Sequence, residues 1–366
     1  MNSNKILFIT SEFPPQPGGI GNHAFNLADS LHREGKHVTV LTDVRSNNGA
    51  TEKDFDDQLK FVVRRIKRRN IIWISYFDRL FKAMKYIANA DTVIASGKFS
   101  LWLVYFLKLF YTKKYIAIIH GSELMLANKS LRRFTHKSLK KFNNIIAVSN
   151  YTKNLISDLN FDNITVIPNG FSISEDLVSI SNHQKPEDLN LITVGNVTQR
   201  KGQHNIVKAL PLLLKTYPNL KYRIVGIPTE KDKIESLAKE LGVLESIEFY
   251  GKVSEEKKCE LLASSSIFIM LSEKTENGDV EGFGIAILEA NAFGIPAVGS
   301  KGCGIEDAID DGETGCLVNA TDINSILKAV TDINNSYSDF SKNSILWSKK
   351  FNWDKIVLQY LEILDK

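Results

Sequence analysis

The stretch from Lys5 to Asp43, KILFITSEFPPQPGGIGNHAFNLADSLHREGKHVTVLTD, decides the fold class. Lys5–Thr10 has the length and the apolar run of a buried strand. Three prolines and three glycines between Ser11 and Gly21 forbid regular structure until about Ile20. Ala24, Leu27, Ala28 and Leu31 then recur at helical spacing, Gly35 ends the helix, and His37–Thr42 is a second strand. Strand, loop, helix, strand is the opening of a doubly wound α/β domain. Gly19-Ile-Gly21-Asn-His-Ala24 also fits the dinucleotide fingerprint G-x-G-x-x-A, with Asp43 near the end of the second strand. That fingerprint follows its strand at once, whereas Ser11–Gly18 intervene here, so a nicotinamide-dependent oxidoreductase is the weaker alternative.

Outward from this opening, 366 residues exceed what one core usually holds, and two domains are expected. Leu59–Ile66 reads as a strand running into Arg64-Arg-Ile-Lys-Arg-Arg69. Trp73, Tyr76, Phe77, Leu80, Phe81, Met84 and Ile87 recur at helical spacing with Arg79, Lys82 and Lys85 interleaved. Leu101–Tyr111 is an aromatic helix, and Lys129–Lys141 is a strongly basic one. Tyr115–His120, Ile145–Val148 and Ile164–Ile167 are further strands, with a helix at Tyr151–Leu159. Ser172–Asp188 is polar and reads as a linker. A second series of strands starts at Leu189–Val194 and continues through Tyr222–Gly226, Ile247–Gly251, Ile267–Leu271, Ala297–Gly299 and Gly315–Asn319. Phe351-Asn-Trp353 starts a last amphipathic helix. The expected domains are 1–171 and 189–350, joined by 172–188 and followed by 351–366.

Residues 1–170 hold 25 Lys/Arg and 13 Asp/Glu, a balance of +12, whereas 171–366 hold 21 and 29, a balance of −8. A basic half joined to an acidic half points to an anionic surface or acceptor on one side only. Interleaved cations and aromatics suggest the surface of an anionic membrane, and no nucleic-acid motif appears. The bland alternative is that the cations are solvated and the apolar faces pack on a sheet. No apolar run reaches about 18 residues. Cys259, Cys303 and Cys316 are odd in number and far apart, which fits a reduced compartment. No secretory signal is evident, and the expected location is cytoplasmic, with the inner face of the plasma membrane as the candidate surface.

Asn277–Pro296, NGDVEGFGIAILEANAFGIP, carries the strongest functional signal. Asn277 and Gly278 are turn residues, a helical pattern runs from Gly282, and Gly294 stops it. Glu281 and Glu289 are eight positions apart, so on one continuous helix they would sit roughly 80° apart and share no face. The spacing makes sense if Glu281 lies before the helix and Glu289 in its second turn, each meeting a different part of one polar ligand. The amides of Phe283, Gly284 and Ile285 would be free donors of a helix N-terminus, suited to phosphate. In Gly195-Asn-Val-Thr-Gln-Arg-Lys-Gly202, two adjacent cations at a helix start oppose the helix dipole unless an anion lies nearby, and a diphosphate would be one.

The phrase E-G-F-G-I-A-x-x-E-A preceded by N-G-D-V resembles the signature of family 4 glycosyltransferases. The resemblance implies a GT-B fold: two Rossmann-like doubly wound domains facing a central cleft, with a C-terminal helix crossing back to the first. It implies a retaining, metal-independent enzyme that needs no cofactor, with the nucleotide sugar as substrate. On this resemblance Glu281 contacts sugar hydroxyls, Glu289 the ribose, and Gly282–Ile285 the sugar and diphosphate. Gly18 and Gly19 approach the donor diphosphate, and His120, at a strand's C-terminal end, lies against the transferred sugar. Gly195, Gly226, Ile227 and Val253 line the nucleotide site. The family often has an arginine directly after the first glycine of the second domain; Asn196 stands there, and Arg200 with Lys201 are the cations available. Asp54-Phe-Asp56 fits the D-x-D metal motif of the other major glycosyltransferase fold, but its polar setting reads as a solvated acidic loop.

The resemblance thus implies transfer of a sugar from a nucleotide diphosphate sugar, UDP preferred over GDP, to a saccharide acceptor. Retention would follow from same-face attack, with the leaving phosphate helping to take the acceptor proton. Cell-surface polysaccharide or lipid-linked glycan assembly is the expected setting. A non-catalytic sugar-binding protein of two lobes is the third reading, and it would not need the cationic pair.

Overall fold

The computed structural model describes residues 4–46, 49–67, 72–178, 186–276 and 278–366. The chain divides into two compact α/β units, Met1–Gly170 with Trp353–Lys366, and Phe171–Asn352.

The first unit runs β1 (Lys5–Thr10), α1 (Gly19–Arg33), β2 (His37–Asp43), α2 (Ala50–Asp56), β3 (Val62–Ile66), α3 (Ile72–Ile87), β4 (Thr92–Ser96), α4 (Lys98–Leu107), β5 (Lys114–Ile119), α5 (Lys129–Leu139), β6 (Asn144–Ala147), α6 (Asn150–Asn154) and β7 (Ile164–Val166). Its seven strands are parallel, in the order β3-β2-β1-β4-β5-β6-β7. Helices cover both faces of such a sheet, so its strands are apolar throughout rather than alternating. In β1, Ile6, Leu7, Phe8 and Ile9 are all buried, with Ile6 paired to Val38 and to Thr92. The order reverses at β1 and β4, which opens a crevice at the C-terminal ends of these two strands.

The second unit runs α7 (Glu175–Val178), β8 (Asn190–Val194), α8 (Gln203–Thr216), β9 (Lys221–Val225), α9 (Lys231–Glu240), β10 (Ile247–Gly251), α10 (Glu255–Ala263), β11 (Ile267–Met270), α11 (Ile285–Ala292), β12 (Ala297–Ser300), β13 (Gly315–Val318), α12 (Ile323–Asn335) and α13 (Tyr337–Ser348). Six parallel strands lie in the order β10-β9-β8-β11-β12-β13, and here the switch point falls between β8 and β11. Ile206, Leu210 and Leu213 of α8 form one buried stripe in a core that also holds Leu191, Ile224 and Ile269.

The last helix, α14 (Trp353–Asp365), belongs to the first unit. Its Tyr360 hydroxyl meets His23 Nε2 of α1 at 3.1 Å, and Asp354 and Asp365 accept from Arg33 and Lys36 at 2.7 and 2.9 Å. Trp353 is fully buried.

Several elements differ from the sequence reading. β4 lies outside every strand expected from the sequence, yet it pairs with both β1 and β5 at the centre of its sheet. Asp54 and Asp56 lie on helix α2 rather than in a loop, and Asp56 grips Arg65 of β3 at 2.8 Å. The strand expected from Leu59 starts only at Val62, and the aromatic helix starts at Lys98 rather than Leu101. Arg200 and Lys201 lie in a 3₁₀ turn that precedes α8 instead of opening it. The helix of the Asn277–Pro296 stretch begins at Ile285, not Gly282. Phe171 and residues 351–352 group with the second unit. The expected linker carries the short helix α7, while its residues 179–185, with Arg68, Arg69, Asn277 and the Trp73 side chain, lie outside the described residues.

Candidate active site

Two loops leave the second sheet at its switch point: residues 195–202 from β8 and 271–284 from β11. They meet through their backbones. Glu273 N donates to Arg200 O at 2.9 Å. Gly202 stands at φ +73, and a Cβ there would lie 1.8 Å from the Leu271 carbonyl oxygen, so only glycine lets the loops close.

This closure brings three charged side chains together. Arg200 Nη1 and Lys201 Nζ both donate to Glu281 Oε2, at 2.6 and 2.7 Å, and Arg200 Nε lies 3.1 Å from Asp279 Oδ2. The Lys201 and Glu281 side chains are only 13% and 14% exposed. Burial alone would raise the Glu281 carboxyl, but attraction to Lys201 and Arg200 outweighs it and lowers the pKa to about 2. Burial likewise opposes the Arg200 charge, and Glu281 and Asp279 more than restore it. The anion that the sequence reading required beside these cations is thus present within the protein, as Glu281. A polyanion arriving here would meet two cations already neutralised, and would have to displace a carboxylate to use both.

Downstream of Glu281, Gly284 takes φ +94 as the N-cap of α11. Among the described residues no protein acceptor takes the N–H of Phe283, Gly284 or Ile285, which leaves the donors of a helix N-terminus available. The Phe283 side chain itself is buried against Phe351, with ring centroids 5.8 Å apart. Glu289, in the second turn, accepts from Lys258 of α10 at 3.1 Å, and Lys258 also reaches Glu255 at 2.7 Å. Burial works against the Lys258 ammonium, but Glu289 and Glu255 hold its pKa above the usual lysine value. Glu281 and Glu289 therefore belong to separate charge clusters. Gly195, Gly226 and Ile227 follow the ends of β8 and β9, and Val253 follows β10 and is half-buried. The Lys201 side chain lies over Gly195, where a Cβ would stand 3.2 Å from its Cε.

In the first unit, Gly18 precedes α1 and Gly19 is its first residue, at the switch point of that sheet. His120 directly follows β5 and is 8% exposed. Its Nε2 pairs with Ser96 Oγ at 2.9 Å, its backbone N–H donates to Glu123 Oε1 at 2.7 Å, and the His23 ring stands edge-on at 5.1 Å. Burial lowers the imidazole to about 4, so it is neutral at pH 7.

Sequence reasoning missed Lys258, Ser96, His23 and Glu123. Lys258, Ser96 and His23 meet Glu289, His120 and Tyr360 only through tertiary packing, whereas Glu123 lies three positions from His120 and meets it through a local turn. Asp279 stands within the N-G-D-V phrase, which was its one local signal.

Comparison with known proteins follows the same division of the chain. Residues 17–175 match the Glycosyltransferase Family 4 model, and residues 178–347 match the Glycosyl transferases group 1 model. A GDP-mannose-dependent alpha-(1-6)-phosphatidylinositol monomannoside mannosyltransferase of Mycolicibacterium smegmatis is 33% identical over 39% of this chain and 38% of its own length. The chain spans only 34–50% of the length of the curated relatives at 28–33% identity. Sucrose-phosphate synthase from Thermosynechococcus elongatus superposes with a TM-score of 0.80 at 19% identity, covering 98% of both chains. HepE of Anabaena, solved in complex with UDP and glucose, gives 0.78 at 18% identity, covering 98% of this chain and 99% of its own. These two likenesses identify the fold as GT-B. With one family model on each unit and nearly the whole chain matched, the protein belongs to the family 4 glycosyltransferases.

Proposed function

We propose that the protein transfers a sugar, with retention at the anomeric carbon and without a metal ion, from a nucleotide diphosphate sugar to a saccharide acceptor. The observation that carries this reading is the meeting of Arg200, Lys201 and Glu281 at the β8/β11 switch point, beside the open amides of Phe283–Ile285. Open α/β sheets bind ligands at such points. Charge on the departing nucleoside diphosphate would be balanced by the two cations and the helix N-terminus, in place of a divalent ion. In this reading Glu281 moves from the cations to the sugar hydroxyls when the diphosphate arrives. Glu289 takes the ribose, and Gly195, Gly226, Ile227 and Val253 line the nucleotide. His120, neutral and held by Ser96, is assigned to the transferred sugar, and Gly18 and Gly19 to the diphosphate.

UDP is the preferred carrier. The solved HepE complex with UDP and glucose supports it, whereas the similar mannosyltransferase is named for GDP-mannose. The acceptor is assigned to cell-surface polysaccharide or lipid-linked glycan assembly, on the cytoplasmic side. The excess of cations in residues 1–170 supports docking of the first unit on an anionic membrane. No helix among the described residues is long and apolar enough to cross a membrane.

A thermal-shift panel with UDP, GDP, NAD and free sugars tests the reading. UDP is expected to raise Tm and NAD to leave it unchanged. Stabilisation by NAD alone would overturn it.

A further inference from the structure

The first unit contains a groove of about 640 Å³ that the transferase reading does not use. It lies among α3, α4 and α5. Phe99, Trp102, Leu103 and Phe134 form its inner wall, with Phe77, Phe106 and Leu131 at its lips. Those three lip residues are 59%, 45% and 41% exposed. The Trp102 indole N–H is already satisfied by Thr135 Oγ1 at 2.9 Å, so the ring presents an apolar face. Lys98 is the sole charged side chain of the lining, its ammonium 4.7 Å from the centre of the Phe99 ring and 5.8 Å from that of Trp102.

The volume lies within the usual range for small-molecule sites. The wall disfavours a saccharide or nucleotide, because apart from Lys98 and the Tyr76 hydroxyl it offers only rings and methyls, against which their many polar groups would be desolvated. It suits a hydrocarbon chain. The setting also has a sign. The three helices that build the groove carry three Lys/Arg on α3, one on α4 and four on α5, against a single acidic residue, Asp78. Lys98 itself has no carboxylate partner among the described residues. Exposed Phe81, Leu109 and Phe110 extend the apolar surface over α3 and the segment after α4. An apolar slot with a cation in its lining and a basic surround is complementary to an amphiphile with one chain and an anionic head.

We propose that this groove binds the hydrocarbon chain of an anionic lipid-linked acceptor, with the phosphate near the chain's head at Lys98. The proposal rests on the lipid-linked acceptor of the preceding reading and names where its lipid part is held. It is distinct from adhesion of the whole unit to a leaflet, which needs cations but no slot.

The test uses terminally brominated dodecyl phosphate, below its critical micelle concentration, as a quencher of Trp102 fluorescence in the full chain. Saturable quenching is expected in the wild type and should disappear in Trp102→Phe. Leu131→Glu and Phe77→Ser are lip substitutions at exposed positions, and each should weaken binding at least tenfold while leaving Tm and UDP binding unchanged. Lys98→Gln should weaken the phosphate at least tenfold, and brominated dodecanol should bind the wild type correspondingly less well. Absence of saturable quenching, or wild-type affinity in both lip variants, would overturn the groove. Equal binding of the alcohol and the phosphate would overturn the anionic head group. UDP binding is followed in the same samples: its absence alongside normal quenching counts against the transferase reading and leaves the groove standing.

Discussion

Replacing Glu281 with glutamine probes the charge cluster at its centre. The substitution keeps the shape and removes the charge that Arg200 and Lys201 share at 2.6 and 2.7 Å. The folded carboxyl is held at about 2, against the ordinary glutamate value of 4.5 in the unfolded chain. At about 1.4 kcal/mol per pKa unit, the paired carboxylate contributes roughly 3 kcal/mol at pH 7. Between these two pKa values the unfolded chain binds the proton and the folded chain does not. The contribution is therefore complete above about pH 5 and falls away as pH drops towards 2. It should be roughly 1.4 kcal/mol at pH 3. Urea unfolding of wild type and Glu281→Gln at a series of pH values measures the difference directly. A gap of about 3 kcal/mol at pH 7 that narrows by about half at pH 3 is expected. A gap that is absent at pH 7, or constant across the series, would refute the pairing. In the same variant UDP should bind no more weakly than to wild type, since the carboxylate that occupies the two cations is gone, while turnover should fall. Weakened UDP binding would mean that Glu281 supports the diphosphate itself.

Four further outcomes are expected. Arg200→Ala and Lys201→Ala should each lower turnover by about 100-fold or more, since both are proposed to balance leaving-group charge; steady-state kinetics with wild-type rates would remove them from the site. Activity should survive excess EDTA, and loss on chelation restored by Mn²⁺ or Mg²⁺ would end the metal-free reading. Glu289→Gln should weaken nucleoside diphosphate binding in calorimetry by about tenfold, because it removes the charge and one acceptor oxygen of the half-buried side chain proposed for the ribose and leaves Lys258 with Glu255 alone. Liposome co-sedimentation should favour anionic over neutral vesicles at low salt, and equal binding to both would remove the membrane surface from the account.

Much of this protein was legible along the chain because its signals are local. KILFIT and the later apolar runs had to be buried parallel strands, because a strand covered on both faces leaves no polar alternation. The prolines and glycines of Ser11–Gly21 ruled out a tight nucleotide fingerprint after β1. The E-G-F-G-I-A-x-x-E-A phrase carried the family. β4 escaped notice because Thr92–Ser96 is short and follows directly on the helical pattern of α3; its centrality appears only when β1 and β5 close on either side of it. Asp54 and Asp56 looked like a solvated loop because nothing in their neighbourhood reveals Arg65, which reaches Asp56 from the adjacent strand.

Sequence alone placed Glu281 and the two cations in one site by resemblance and by the dipole argument, but it left their mutual arrangement open. Arg200 and Glu281 are 81 positions apart. They meet because the strand order reverses between β8 and β11, which places the ends of both strands side by side. The same tertiary step decided that Glu281 pairs with Arg200 and Lys201 while Glu289 turns to Lys258, and that the Trp102 ring faces a groove while its N–H is spent on Thr135. Periodicity says which face of an element is apolar. What covers that face, and which charge meets which, depends on neighbours brought together by the sheet order, and that information is not written in any one stretch of the chain.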